Sequence, residues 1–266
     1  MSELQAEGSR RRLPRRSWSE DDVTRDRPTD ELTPASTSSG FDAVPDRRTF
    51  LALSPRMLAA KVRARLWSTR RLVLVVADLA HSSIGPADAP RLDVSFVHPS
   101  TFPDLSSTLD DARDEDRLSL AALERTRAAG AGELVVARVG DELAGIHFIH
   151  TAVHQERLER IAPRLYAPLE VGDVLTEGVF VFPAFRRRGV AASMLRASAS
   201  ELARRGYRRA LAVIDVENRA SLRAFRAAGF TAGSVMRVDA YRLGRRTSRF
   251  VEVDRETWRR YLAATG

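Results

Sequence analysis

The sequence predicts an α/β domain built on a mixed sheet. Short apolar runs of strand length alternate with segments of helical period, and two of the strands join through a glycine-containing turn as a β-hairpin. Residues 1–48 stand apart from this pattern: they are rich in Arg, Asp, Ser, Thr and Pro and show no apolar periodicity. They read as a disordered tail, with the linker-like run Thr33-Pro34-Ala35-Ser36-Thr37-Ser38-Ser39-Gly40 inside it.

Residues 49–91 read as an N-terminal extension, one helix and one strand, that packs on the main domain. Ser54 and Pro55 have the character of an N-cap and first helical position, opening a helix through Met57, Leu58, Val62 and Leu66. Leu72 to Leu79 is a short apolar run, read as a buried strand, and His81 to Arg91, with two prolines and a glycine, is a loop. The main domain runs from residue 92 to residue 266. Leu92 to Val97 is a half-buried strand. Thr108 to Ala129 is a helix, with Leu118, Leu120, Leu123 and Ala128 available to a core. Glu133 to Val139, the turn Gly140-Asp141, and Glu142 to Thr151 form the hairpin. A short helix follows over His154 to Ile161, then a strand from Val174 to Phe182, stopped by Pro183. The next helix ends at Arg205, with Gly206 as its C′ residue. Leu211 to Val216 is a strand, Arg219 to Ala228 a helix closed by Gly229, and one or two further strands begin at Thr231.

Composition removes several function classes. The chain has 266 residues, 44% hydrophobic and 29% charged, and no cysteine. Disulfides, thiolate metal sites and a cysteine nucleophile are therefore excluded. No apolar run approaches the roughly 18 residues of a membrane span. The arginines at 10, 11, 12, 15 and 16 are not followed by an apolar segment, so a cytoplasmic location without membrane partners is expected. The formal net charge is +8, and Lys61 is the one lysine. Residues 1–48 carry nine Arg against ten Asp and Glu, so the excess lies in the folded part, where it suits an anionic ligand. Nucleic acid is disfavoured as a partner, because the tail also holds Glu20, Asp21 and Asp22 and has no interleaved aromatic platform.

The chemistry concentrates in Phe180-Val181-Phe182-Pro183-Ala184-Phe185-Arg186-Arg187-Arg188-Gly189-Val190-Ala191. This is a strand, a short loop and a helix start, with glycine where the backbone must come close to something. Successive amides in such a turn, backed by the helix dipole, cradle a phosphate. Arg186, Arg187 and Arg188 add charge-assisted hydrogen bonds to the same anion. A pyrophosphate-bearing ligand follows from these residues alone.

Arg186 to Ala191 also resembles the Gln/Arg-x-x-Gly-x-Gly/Ala pyrophosphate loop of the GNAT N-acetyltransferase superfamily. Asn218 opens a segment, running to Gly229-Phe230, that is similar to the family's second cofactor segment, and Val135 to Ile149 resembles its hairpin. The resemblance covers roughly residues 92–250. It implies a mostly antiparallel twisted sheet flanked by helices, acetyl-CoA as the acyl donor and no metal. It further implies that the strand before the loop splays from its neighbour, and that Phe180, Val181 and Phe182 hold the acetyl carbonyl and pantetheine arm. An N–H near Val181 would meet the oxyanion, and Arg188, Gly189, Val190 and Ala191 the pyrophosphate. Asn218, with Ser221 and Phe225 of its segment, would line the pantetheine. Phe225 stands where the family often has a tyrosine acid, but a thiol of pKa about 8.5 leaves tolerably as thiolate.

The acceptor expected from this resemblance is a small molecule with a primary amine. Such an amine, with pKa about 10.4, is neutral only about once in 2,500 at pH 7, a cost near 4.6 kcal/mol, so a base is worth having. Strand alternation puts Leu175, Glu177, Val179 and Val181 on one face, which nominates Glu177; His150 is the reserve. His147, His150 and His154 have spacing that suggests a metal on a helix, but the first two fall in a strand, where odd spacing turns them to opposite faces. The alternative function is a non-catalytic acyl-CoA sensor, which the missing tyrosine favours. Both a monomer and a homodimer are compatible with the sequence.

Overall fold

Ser54 caps the first helix as its position before Pro55 predicts: its hydroxyl accepts the Met57 N–H at 3.4 Å. This helix, α1 (Pro55–Leu66), runs straight into strand β1 (Trp67–Asp78). The computed structural model describes residues 53–80, 92–105, 108, 112–161, 169–254 and 256, all within one unit, Thr37–Gly266. The predicted tail over 1–48 and the loop over 81–91 lie outside the described residues.

After β1 come β2 (Asp93–Val97), α2 (Asp114–Ala128), β3 (Glu133–Val139), β4 (Glu142–Thr151), α3 (Gln155–Ile161), β5 (Asp173–Val181), α4 (Val190–Arg204), β6 (Arg209–Asp215), α5 (Arg219–Ala227), β7 (Thr231–Arg242) and β8 (Arg245–Glu252). The strands form one sheet in the order β2-β3-β4-β5-β6-β1-β7-β8. Every described pairing is antiparallel except that of β5 with β6, so the sheet is mixed and mostly antiparallel, flanked by helices.

Two expectations about element bounds change. The helix expected over Thr108 to Ala129 is interrupted: Thr108 is helical, Ala112 and Arg113 are not, and α2 begins at Asp114, where Asp114, Glu115 and Asp116 occupy its first turn and favour the positive end of the helix dipole. The strand expected from Leu72 begins at Trp67. Its polar first half is held not by burial but by pairing, Trp67 to Val73 against Arg242 to Met236 of β7. β1 thus sits inside the sheet, between β6 and β7, although it precedes the segment that carries the family resemblance.

The two faces of the sheet bury different cores. On one, Val73, Val75, Val135, Ile149, Val174, Ala210, Ala212 and Ile214 meet Met194, Leu195, Ala199 and Leu202 of α4 and Leu222 and Phe225 of α5. On the other, Leu134, Val136, Ile146, Phe148 and Phe180 pack under Leu120 and Leu123 of α2. At roughly 25 cal/mol per Å² of apolar area removed from water, these two interfaces supply most of what holds the helices to the sheet.

Candidate active site

β5 and β6 pair over only three residues, Asp173 to Leu175 against Arg209 to Leu211. Beyond that β5 stays with β4 as far as Val181, while β6 turns to β1 as far as Asp215. The sheet therefore parts into a cleft. Phe182 donates its N–H to Ala144 of β4 at 3.0 Å. Because consecutive backbone groups of a strand point to opposite edges, the Val181 N–H points away from β4, into the cleft.

The chain leaves β5 through a short 3₁₀ turn, Pro183–Phe185, and enters α4 through a second turn ending at Gly189. Arg187 (φ 63°) and Gly189 (φ 75°) are both left-handed there, an arrangement that directs successive N–H groups to one side. The first-turn amides of α4, Val190 to Ala192, have no acceptor within the helix. A Cβ added at Gly189 would meet nothing within 4 Å, so the space that a bulkier residue would fill is open. Arg187 and Arg188 are exposed, and Arg188 lies 5.7 Å over the Phe185 ring. Arg186 corrects the expectation that all three arginines face the anion. Its guanidinium donates to Asp116 of α2 and to the Val181 carbonyl, and it covers the Phe180 ring at 5.5 Å. It fastens the loop to α2.

Asn218 caps α5, its side-chain oxygen accepting the Ser221 N–H at 3.1 Å, which leaves its amide nitrogen as the group able to meet a ligand. The Ser221 amide is thereby engaged in the cap. Phe225 is 3% exposed and meets Phe230 edge to face at 4.9 Å between centroids, so its ring belongs to the core beneath α5. Phe180 and Phe182 form a second edge-to-face pair at 5.2 Å.

Residues 92–230 match the model of the acetyltransferase (GNAT) family, more than half of the chain. The chain belongs to this family. No curated protein matches the sequence. Among solved structures it is similar to a GNAT-family protein from Novosphingobium aromaticivorans (16% identity, TM-score 0.40, 70% of this chain and 66% of that one). It is also similar to a GCN5-related N-acetyltransferase from Sphaerobacter thermophilus (18%, 0.41, 71% and 58%). A third similar structure is YncA from Salmonella typhimurium with its cofactor acetyl-CoA (18%, 0.35, 62% and 95%). This chain spans just under two-thirds of the length of the first of these and less of the second.

In this GNAT domain Glu177 does not share a face with Val181. Glu177 pairs with Phe148 and Phe180 with Ile146, so Gly178 and Val179 together oppose His147. This is a β-bulge, with Gly178 at φ 65°. Past the bulge the alternation reverses: Glu177, Leu175 and Phe180 point to the α2 side, whereas Val181, opposite Gly145, points to the α4 side. The signal was in the sequence, since an isolated glycine inside a strand pattern marks a bulge. On the α2 side the Glu177 side chain is 9% exposed, and its Oε2 lies 2.9 Å from Nε2 of His150, which is wholly buried. At that distance the two groups make no hydrogen bond as they stand. Burial raises the Glu177 carboxyl well above its usual value and lowers His150 to about 3.

His147 points the other way, to Ser198 of α4 at 2.8 Å, and burial lowers it to about 3 as well. His154 accepts the Thr151 N–H at 3.0 Å. Among the described residues no three His, Asp or Glu side chains gather as a metal site, and no helix is long and apolar enough to cross a membrane. Sequence reasoning also missed the ion pair of Arg70 of β1 with Asp215 of β6, 2.9 Å.

Proposed function

We propose that the protein is an acetyl-CoA-dependent N-acetyltransferase that acylates a primary amine of a small acceptor. The observation that carries this is the coincidence, at one end of β5, of the β5–β6 cleft and the open amide turn at Gly189. A pyrophosphate fits that turn: the amides of Gly189, Val190 and Ala191 donate to it, and Arg187 and Arg188 supply charge. Asn218 faces the same ligand from the α5 side.

Acetyl-CoA, when bound, would supply a thioester carbonyl to the amine, its C–S bond breaking so that CoA leaves as the thiolate. The Val181 N–H, aimed into the cleft, is a donor for an oxygen that gains negative charge. Glu177 stands on the opposite face, the side from which an amine approaches when the pyrophosphate turn holds the other. It accepts the amine proton as the new C–N bond forms. Phe148, opposite it on β4, and Phe180, next on the same face of β5, help to exclude water and keep the carboxyl's affinity for a proton high.

A second reading, a non-catalytic acyl-CoA sensor, draws on Phe225, which offers no proton to a leaving thiolate. Turnover of acetyl-CoA over a panel of amino sugars, polyamines and amino acids, read as free thiol, separates the two. Thiol release with any of these amines supports the enzyme. Tight CoA binding with no release across the panel supports the sensor.

A further inference from the structure

His150 is the most conspicuous unpaired polar group beside the cleft. It is fully buried, and neither ring nitrogen has a hydrogen-bond partner as it stands. A buried donor or acceptor left unmade costs about 1–3 kcal/mol, so each such group in a native protein calls for a reason. The ring is fixed from three sides. The Phe148 ring stacks on it at 6.0 Å and 15°, His154 meets it edge-on at 6.4 Å, and Gly132 presses against Nδ1, where a Cβ would come within 2.6 Å. The one group it is aimed at is Glu177.

We propose that His150 is a positioning residue for Glu177: its Nε2 holds Oε2, and the pair carries a single shared proton. This rests on the reading of Glu177 as the base. With the proton on the carboxyl, Glu177 donates to Nε2; with the proton on the ring, Nε2 donates to a carboxylate. Passing between the two forms moves one proton along the 2.9 Å line and changes no other bond. A proton shared between two bases is held more tightly than by either alone. Glu177 therefore meets the amine as a stronger base than a lone carboxylate, and with one oxygen already fixed in direction.

The other titratable groups around the pair are engaged elsewhere. On β4 and the turn after it, His147 faces α4 and Ser198, and His154 takes the Thr151 N–H. On α3, Arg157 donates to the Gly130 carbonyl. On β3, Glu133 pairs with Arg205. On α2, Glu124 pairs with Arg127 and Asp116 with Arg186. On β6, Asp215 pairs with Arg70.

The test follows the imidazole nitrogens of the full-length protein, labelled with ¹⁵N histidine, by NMR from about pH 5 to about pH 9, together with the carboxylic C=O stretch. In the wild type, the His150 nitrogen shift and the carboxylic band should change at one common midpoint. In Glu177→Gln that midpoint should disappear from the His150 signal, while His147 is unmoved. A His150 signal that is flat in the wild type and unaltered by Glu177→Gln overturns the proposal without any acceptor being known. Turnover of an accepted amine gives the second readout. His150→Phe keeps a flat ring and His150→Gln the polarity. In each, the rising limb of rate against pH should move down by about one unit or more and the plateau fall about tenfold, with KM for the amine unchanged. Should Glu177→Gln turn over at the wild-type rate, the base reading itself fails. Should Glu177→Gln be slow while both His150 variants keep the wild-type limb, the positioning role alone fails.

Discussion

Glu177 and Val181 lie four residues apart on one strand yet point to opposite faces of the sheet, because the bulge at Gly178 and Val179 comes between them. The Glu177 carboxyl thus lies on the α2 face, while the Val181 N–H points along the sheet into the cleft. Had the strand run on regularly, the carboxylate would crowd the ligand-cradling face. With the bulge, donor and acceptor approach from different directions.

Replacing Glu177 by Gln keeps volume and removes the proposed base. Turnover should fall about 10²–10⁴-fold, with CoA affinity by calorimetry unchanged. In the wild type the rate should rise with pH, because burial raises this carboxyl well above its ordinary value and the active carboxylate appears only above the raised value. The sign for stability is opposite. The unfolded chain loses this proton at a lower pH than the native one, so stability falls as pH rises from the ordinary glutamate range through the raised value. Glu177→Gln should therefore raise Tm more at pH 8 than at pH 5.

Buried His147 works in the acid direction. It is lowered to about 3 by burial, whereas an unfolded histidine protonates near 6.5. Its contribution is complete above pH 6.5 and is lost as pH falls towards 3. His147→Gln should flatten the acid limb of a Tm-against-pH curve; an unchanged limb would assign acid unfolding to other groups.

Gly189→Val places a branched side chain on a left-handed residue and into the open space of the turn. CoA affinity should drop at least tenfold, about 1.4 kcal/mol. Gly140→Val serves as a control: Gly140 is also at positive φ with open surroundings, but lies in the β3–β4 turn, so it should leave CoA affinity alone.

Phe225→Ala removes a ring that is 3% exposed and packed on Phe230. It should cost about 3–5 kcal/mol by denaturant unfolding. A loss under about 1 kcal/mol would mean that the ring lines open space instead of core.

Local signals were legible in the sequence wherever local chemistry decides. The Ser54 cap, the Gly140-Asp141 hairpin, and the ends of α4 and α5 at Gly206 and Gly229 all formed as their residues dictate. The Arg186 to Ala191 motif did mark the turn into α4. Long-range choices were not legible. Arg186 looks like its two neighbours in sequence, and only the approach of α2 with Asp116 diverts it. Counting alternation across Gly178 assigned Glu177 to the wrong face, since one extra residue inverts everything before it. The meeting of His150 with Glu177 depends on two strands brought side by side, which no spacing within either one reveals.

The strand Trp67–Asp78 carries a consequence for how the chain folds. It is made before nearly all of the sheet, yet its neighbours are β6 and β7, and Arg70 reaches a partner 145 residues further along. During synthesis its apolar half must wait, unpaired, until β6 and β7 have emerged, and closing so long a loop slows folding. A chain begun at residue 92 would still hold the whole family match, but β6 would face water along an edge and β7 would have lost its bridge to the rest. Such a fragment should precipitate, whereas one that keeps Trp67–Asp78 should not.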